Sequence, residues 1–424
     1  MNIRIINGKR LNAAYQWEDS QSIDIQDGRI VALDVVQKDY EKLIDASGCL
    51  ILPGLIDLNV SLREPGYTSK GTIASETKAA AAGGITTLCC TPETHPVNDS
   101  RAVTKLIKEL AHTANYCEVL PLGALTKGLQ GEQLAEYSAL KSAQCIALSN
   151  AYHPFKNLAI AKRCFDYAKT HAMSVFVNPI EEALHQGVMH EGRVSTTIGL
   201  QGISSLAETV AVSQLLQLAE ASGVHLHLSQ LSAAYSVEQV RQAKASGINV
   251  TADVALQNLC YTDEKVEAFT SVYHCLPPFR SEQDRQALLS GLKTGVIDAV
   301  TSAHQPHEAA AKLMPFAETE AGMSTIEFVL PVAQLLEAAG ELDLPVFIKA
   351  MTEGASRVLR RPVPGLSSGE AANLVVYNPA TERHISAAMM LSKGKNSPLL
   401  GQRILGQVAF TLYQGRIVYG EAVS

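Results

Sequence analysis

Eight apolar runs of strand length, each followed by a stretch in which apolar residues recur three or four apart, dominate the middle of this 424-residue chain. The runs are LIDLNVSL (55–62), ITTLCC (85–90), EVLPLGAL (118–125), CIALSN (145–150), SVFVNP (174–179), HLHLSQ (225–230), NVTADV (249–254) and DAVTSA (298–303). Stretches such as AVTKLIKELAHT, AIAKRCFDYAKTHA, SLAETVAVSQLLQLAEA and VEQVRQAKAS lie between them. Strands that are apolar throughout, alternating with amphipathic helices, are the pattern of a parallel sheet covered by helices. Eight such units in about 250 residues predict a (β/α)8 barrel, whose chemistry sits at the carboxyl ends of its strands. A doubly wound open sheet is the competing fold, but no G-x-G-x-x-G follows the first run.

The two ends of the chain have a different texture. IRIING, SIDIQDGRIVAL and KLIDASGCLILP read as short strands, with Asp27-Gly28 at a hairpin turn. NLVVYNP and VAFTLYQGRIVYG repeat that texture near residue 400, with Gln414-Gly415 as a second hairpin signal. Segments 1–53 and 365–424 are expected to form one small composite β-sandwich, and 54–364 the barrel.

Composition narrows the function classes. With 35 Lys+Arg against 42 Asp+Glu the net charge is -7, without the basic surplus of a nucleic-acid binder. No window approaches the roughly 18 apolar residues of a membrane helix, and MNIRIINGKR lacks a signal-peptide core, so a cytoplasmic protein is expected. Eight cysteines without CxxC spacing read as reduced core thiols. Cys89-Cys90 has no nucleophile elbow around it, and the AAAAGG run at 79–84 lacks the Lys-Ser/Thr of a phosphate loop and reads as a helix end with a glycine cap.

The strand ends carry Asp57-Leu58-Asn59-Val60-Ser61, Asn150, Asn178, Gln230 and Ala303. The first of these lies in PGLIDLNVSLREPG, which resembles the PGFIDxHVHLREPG of the dihydroorotases, cyclic amidohydrolases of pyrimidine synthesis. AAAAGGITTLCCTPETHPVNDS is similar to their AAAxGGFTxVxxMPNTNPxxDS. GALTKGLQGEQLAEYSALKSA, VSTTIGLQGISSLAE, CLPPFRSEQDRQALLSGLKTGVIDAVTSAHQPH and SKGKNSPLLGQRILGQVAFTLYQGRIVYG resemble further blocks of that family.

The resemblance implies a zinc site built from an H-x-H pair after the first strand, a bridging carboxylate or carboxylated lysine on the fourth, histidines on the fifth and sixth, and an aspartate on the eighth. Here the corresponding positions read Asn59, Ser61, Asn150, Asn178, Gln230 and Ala303. Zinc takes imidazole, thiolate or carboxylate, and neutral amides and a serine substitute poorly. The zinc site is therefore expected to be lost and no cofactor retained. The substrate block has changed too: MPNTNP becomes Thr91-Pro92-Glu93-Thr94-His95-Pro96, and the asparagine before PPxR becomes Leu276. Arg63 remains as a remnant able to pair with a substrate carboxylate bidentately, a structural salt bridge at the barrel mouth being the other reading. His225 with His227, and His304 with His307, are the candidates for a relocated metal, against a reading of both pairs as structural histidines.

What this implies is a chain that is not an enzyme: a dihydroorotase-like structural subunit that assembles with the aspartate carbamoyltransferase catalytic chain in pyrimidine biosynthesis, as a homodimer within a larger hetero-oligomer. The alternative is an active cyclic amidohydrolase that hydrolyses a cyclic amide C–N bond with a relocated or weak metal site.

Overall fold

The computed structural model describes residues 2–20, 22–33 and 40–420. Positions 1, 21, 34–39 and 421–424 of the segments expected to form the sandwich lie outside the described residues.

Eight parallel strands form one sheet: β1 (Leu55–Val60), β2 (Ile85–Cys90), β3 (Glu118–Ala124), β4 (Ala147–Ser149), β5 (Val175–Val177), β6 (Leu226–Leu228), β7 (Val250–Ala255) and β8 (Ala299–Thr301). Each pairs in parallel with the next. Past the end of β8, His304 returns to β1 through a parallel bridge with Val60, and the Ser61 N–H donates to the His304 carbonyl at 2.9 Å. The sheet thus closes into the expected (β/α)8 barrel.

The helices follow from their apolar stripes. In Arg101–Ala114 the buried Val103, Ile107 and Ala111 recur every four residues, and Asn115 ends the helix in the left-handed region at φ 56. Leu158–Thr170 begins where the Asn157 side chain accepts the Ile160 N–H at 3.1 Å. Leu88, Val175, Val177, Leu226 and Leu228 pack outward against helical residues such as Ile107, Phe165 and Val212. Ile56, Leu58, Cys89, Leu122, Ala147, Phe176 and Ala299 form a separate cluster with the helix Ala355–Leu359. Alternate strand residues therefore fill the barrel and face its helices.

Outside the barrel, strands from both ends of the chain share one sheet. It runs in the order Arg416–Tyr419, Arg403–Tyr413, Leu374–His384, Leu50–Pro53, Lys9–Leu11, Trp17–Asp19. A second sheet orders Arg29–Leu33, Ser22–Gln26, Ile3–Ile6, Lys42–Asp45, and Ile3, Ile5, Ile23, Ile25, Ile51, Leu374, Val376 and Leu412 fill the layer between the two. Both anticipated hairpin turns are present: Asp27 and Gly28 lie at φ 49 and 80, Gln414 and Gly415 at φ 49 and 70, the double left-handed geometry of a type I′ turn. The tips of these turns meet. A Cβ on Gly415 would lie 2.5 Å from the Gly28 Cα, so the close approach admits only glycine there.

Candidate functional site

Inside the barrel, below its mouth, polar side chains on or immediately before β5, β6 and β7 form a continuous chain. Ser174 Oγ lies 2.9 Å from His225 Nδ1, His225 Nε2 lies 3.1 Å from Thr251 Oγ1, Thr251 Oγ1 lies 2.9 Å from His227 Nδ1, and His227 Nε2 lies 2.8 Å from Asp253 Oδ2. A single direction of donation, from Ser174 toward Asp253, satisfies every hydroxyl and ring nitrogen in it. The other Asp253 oxygen accepts the Gln230 N–H at 2.7 Å, so the chain pins the backbone of a residue at the mouth. Burial pushes the His225 imidazole down to about 3, with Arg360 and His227 adding to the effect. These contacts occupy both histidines within the barrel wall.

At the mouth itself the strand-end residues separate into two groups. Asn178 and Gln230 are joined: Asn178 Nδ2 donates to Gln230 Oε1 at 2.8 Å. Asn150 is satisfied apart from them, its Oδ1 accepting from Thr126 Oγ1 at 2.8 Å and its Nδ2 donating to the His153 carbonyl at 2.6 Å. In contrast, Asn59 Oδ1, Ser61 Oγ and Gln230 Nε2 are buried without a hydrogen-bond partner. Gln230, Ala303 and Arg63 all hold φ in the left-handed region, at 58, 47 and 64, a strain that non-glycine residues adopt mainly where surrounding structure enforces it.

Arg63 is half-buried. Its Nε donates to the Pro306 carbonyl at 3.1 Å and Nη2 lies 3.1 Å from His307 Nε2, while no carboxylate comes within ion-pair distance of it among the described residues. The salt-bridge reading of Arg63 is therefore not what the structure presents. Burial lowers the Arg63 guanidinium from its ordinary value, opposed by the charge of Glu93. His307 is pushed down to about 3 by burial and then by Arg63, and its Nδ1 faces Glu320 Oε2 at 3.4 Å. His304 is engaged elsewhere: Nε2 meets Glu76 Oε2 at 2.8 Å and Nδ1 accepts the Thr325 N–H at 3.1 Å.

The loop after β4 contributes two mouth residues that the sequence pattern did not single out. The Tyr152 hydroxyl contacts Gln230 Oε1 and lies 3.0 Å from the Leu276 carbonyl, and burial holds its phenol well above the ordinary value. His153 Nε2 stands 3.5 Å from Glu93 Oε1. The available signal was position alone, just past the carboxyl end of a barrel strand. His95 is exposed beside Tyr67, with ring centroids 6.2 Å apart.

These positions do not fit the zinc of the resembling family. Among the described residues no three His, Cys, Asp or Glu side chains come together to hold a metal ion. The donors left free at the mouth are one amide oxygen, one hydroxyl and His307 Nδ1, a single imidazole nitrogen, beside an amide N–H that would oppose a cation. Nor do His225, His227, His304 and His307 assemble: the first three are committed to the partners given above, and His307 keeps only Nδ1 without a hydrogen-bond partner.

The family model described as dihydro-orotase-like matches residues 48–236. A protein from Pseudomonas aeruginosa named Dihydroorotase-like protein is 43% identical over 422 residues, which is 99% of this chain and 100% of that one. A protein from Anaeromyxobacter dehalogenans named Dihydroorotase is 37% identical, covering 98% of each. The solved L-hydantoinase (dihydropyrimidinase) of Arthrobacter aurescens superimposes with a TM-score of 0.87 at 20% identity, covering 100% of this chain and 97% of that one, and shows the same fold. Among the described residues no helix is long and apolar enough to cross a membrane.

The expectation that this chain is not an enzyme is corrected by these matches, because relatives alike from end to end are named Dihydroorotase. The physical reason is that replaced metal ligands remove one way of activating water and leave others open.

Proposed function

Because the chain belongs to the dihydroorotase-like family, we propose that it is a cyclic amidohydrolase of pyrimidine biosynthesis that takes an anionic cyclic amide of the dihydroorotate kind at the mouth of its barrel. The observation that carries this reading is Arg63, a half-buried guanidinium with no carboxylate partner among the described residues. Such a charge favours a ligand carboxylate, which it can grip through two parallel hydrogen bonds.

Opening the ring then requires a water oxygen to bond to a ring carbonyl carbon while the C–N bond breaks. Glu93 and His153 are the titratable pair at the mouth, 3.5 Å apart. In this reading Glu93 accepts the water proton, and protonated His153 supplies one to the leaving ring nitrogen. The products are the opened ureido acid and the pair with its proton exchanged between the two groups. Bulk water restores the pair.

The test is to incubate the purified full chain with dihydroorotate, with and without a chelator, and to follow the opened acid by chromatography. Ring opening is expected, falling at least about tenfold in Glu93→Gln and in Arg63→Ala. No ring opening above the uncatalysed rate overturns the reading. The partner implied by the family resemblance, the aspartate carbamoyltransferase catalytic chain, belongs to the same proposal, with a homodimer of this chain inside the larger complex in the cytoplasm. Light scattering of the mixed chains is expected to give one large species, and two separate peaks at micromolar concentration would remove the partner.

A further inference from the structure

Gln230 is firmly held at the mouth and yet only partly satisfied. Its backbone is pinned by Asp253, it is 1% exposed, and its Oε1 accepts from Asn178 and from Tyr152. Its Nε2, equally buried, has no partner. Leaving such a donor unpaired costs more than a typical hydrogen bond returns.

Tyr152 is itself over-committed. Its hydroxyl has one proton, yet it stands against two acceptors, Gln230 Oε1 and the Leu276 carbonyl. The cavity bounded by Tyr152, Asn178, Gln230, Leu276, Glu208 and Arg280 is only about 20 Å³, room for one water and not for a ring. Tyr152 is one of the walls that close this space. It follows Ala151, a non-glycine residue at φ 47, on a loop rather than on a barrel strand.

A carboxamide presents an acceptor oxygen and a donor N–H side by side. The complementary group is an amide whose own N–H and C=O share one edge. A ring enforces that cis arrangement, whereas an open-chain secondary amide prefers trans by about 2.5–4 kcal/mol and points the two groups apart. We infer that Gln230 is the residue that recognises the cyclic amide, pairing Oε1 with the ring N–H and Nε2 with the ring carbonyl once Tyr152 swings out of its place. The pairing satisfies the orphaned Nε2 and gives Oε1 a full donor, without a metal ion. It rests on the reading of the mouth as a cyclic-amide site and adds how the ring, as distinct from its carboxylate, is chosen.

Binding to the full chain in the presence of a chelator tests this, using calorimetry with two acids. Orotate carries a carboxylate and the cis edge on a ring that water does not open; N-acetyl-L-aspartate carries carboxylates and a trans amide. The wild-type chain is expected to prefer orotate by about tenfold or more, the value of one to two net hydrogen bonds. Gln230→Leu should erase that preference while N-acetyl-L-aspartate binding stays as it was. Tyr152→Phe, a loop change that leaves the barrel layers untouched, should tighten orotate binding several-fold by removing the competing hydroxyl. A preference for orotate that survives Gln230→Leu, weaker orotate binding in Tyr152→Phe, or no orotate binding to either the wild-type or the Tyr152→Phe chain overturns the inference. Orotate preference with these responses but no ring opening of dihydroorotate refutes the hydrolytic reading alone.

Discussion

The two polar layers of the barrel, the lower at β5 to β7 and the upper at the ends of β1, β5 and β6, differ in whether their atoms find partners. In the lower layer Ser174, His225, Thr251, His227 and Asp253 hand hydrogen bonds along in one direction, and none of their side-chain atoms is left unpaired. In the upper layer Asn59 Oδ1, Ser61 Oγ and Gln230 Nε2 are buried and unpaired, beside a guanidinium without a carboxylate partner among the described residues. Buried polar groups in a folded chain are nearly always satisfied. The lower layer therefore reads as architecture and the upper as a surface prepared for something to bind. The join between them is the Gln230 N–H on Asp253.

The largest effect that would test this division is expected from His227→Phe. Asp253 is fully buried, and removing its imidazole partner leaves a carboxylate held by the Gln230 N–H alone. Breaking one side of such a pair costs about 3–5 kcal/mol. Urea unfolding should show that loss as a lower midpoint with an unchanged slope. The double variant His227→Phe with Asp253→Leu should recover much of it, since an apolar pair of similar volume leaves no uncompensated charge. A cost below about 1 kcal/mol for the single variant would place the lower layer with the upper one and break the comparison.

An effect smaller for each group separates the layers by pH. His225 in the lower layer is pushed down to about 3, His307 at the mouth to about 3 and His274 to about 4, burial being the leading cause in each. Each binds a proton in the unfolded chain near 6.5 but not in the folded one. Stability is therefore full above about 6.5 and falls as pH drops toward 3–4, by at most about 1.4 kcal/mol per pH unit for each group. Melting temperature should fall steadily from pH 7 to pH 5. Saturating the mouth with orotate should flatten the His307 share, because a bound carboxylate offsets the Arg63 charge that helps to hold that imidazole neutral. The His225 share should not move. A profile flat from pH 7 to 5 would show that neither layer keeps its histidines neutral.

Much of this architecture is written in local pattern. Eight apolar runs with helical periodicity between them predict the barrel because period and run length are local properties, and Asp27-Gly28 and Gln414-Gly415 announce their turns because φ above zero favours those residues. The strand-end positions could be named for the same reason: topology alone places them at the mouth. Their pairing was not legible. Asn178 and Gln230 meet across 52 residues of chain and Tyr152 reaches Gln230 across 78, contacts set by how loops settle on a closed barrel. The lower layer left a clearer trace, His225 with His227 singled out as a pair and Thr251 with Asp253 alternating on one face of an otherwise apolar strand. The short paired strands Met189–His190 and Gly202–Ile203 left none, being too brief for a period to register.

The smallest effect is also the sharpest contrast, because it compares one hydroxyl in each layer. Ser61 Oγ is 3% exposed in its residue and has no partner, so in the ligand-free chain Ser61→Ala deletes a desolvated group that returns nothing. Its stability should change by less than about 1 kcal/mol, and toward greater stability. Ser174→Ala removes the donor that heads the lower chain and leaves His225 Nδ1 without its hydrogen bond, at a cost of about 1–2 kcal/mol. The two substitutions delete the same atom from the same residue type, so side-chain entropy and helix or strand propensity cancel in the difference. Unfolding midpoints that shift in opposite directions are expected. Equal shifts would mean that Ser61 already has a partner, a bound water for example, and that the mouth is less poised for a ligand than its geometry indicates.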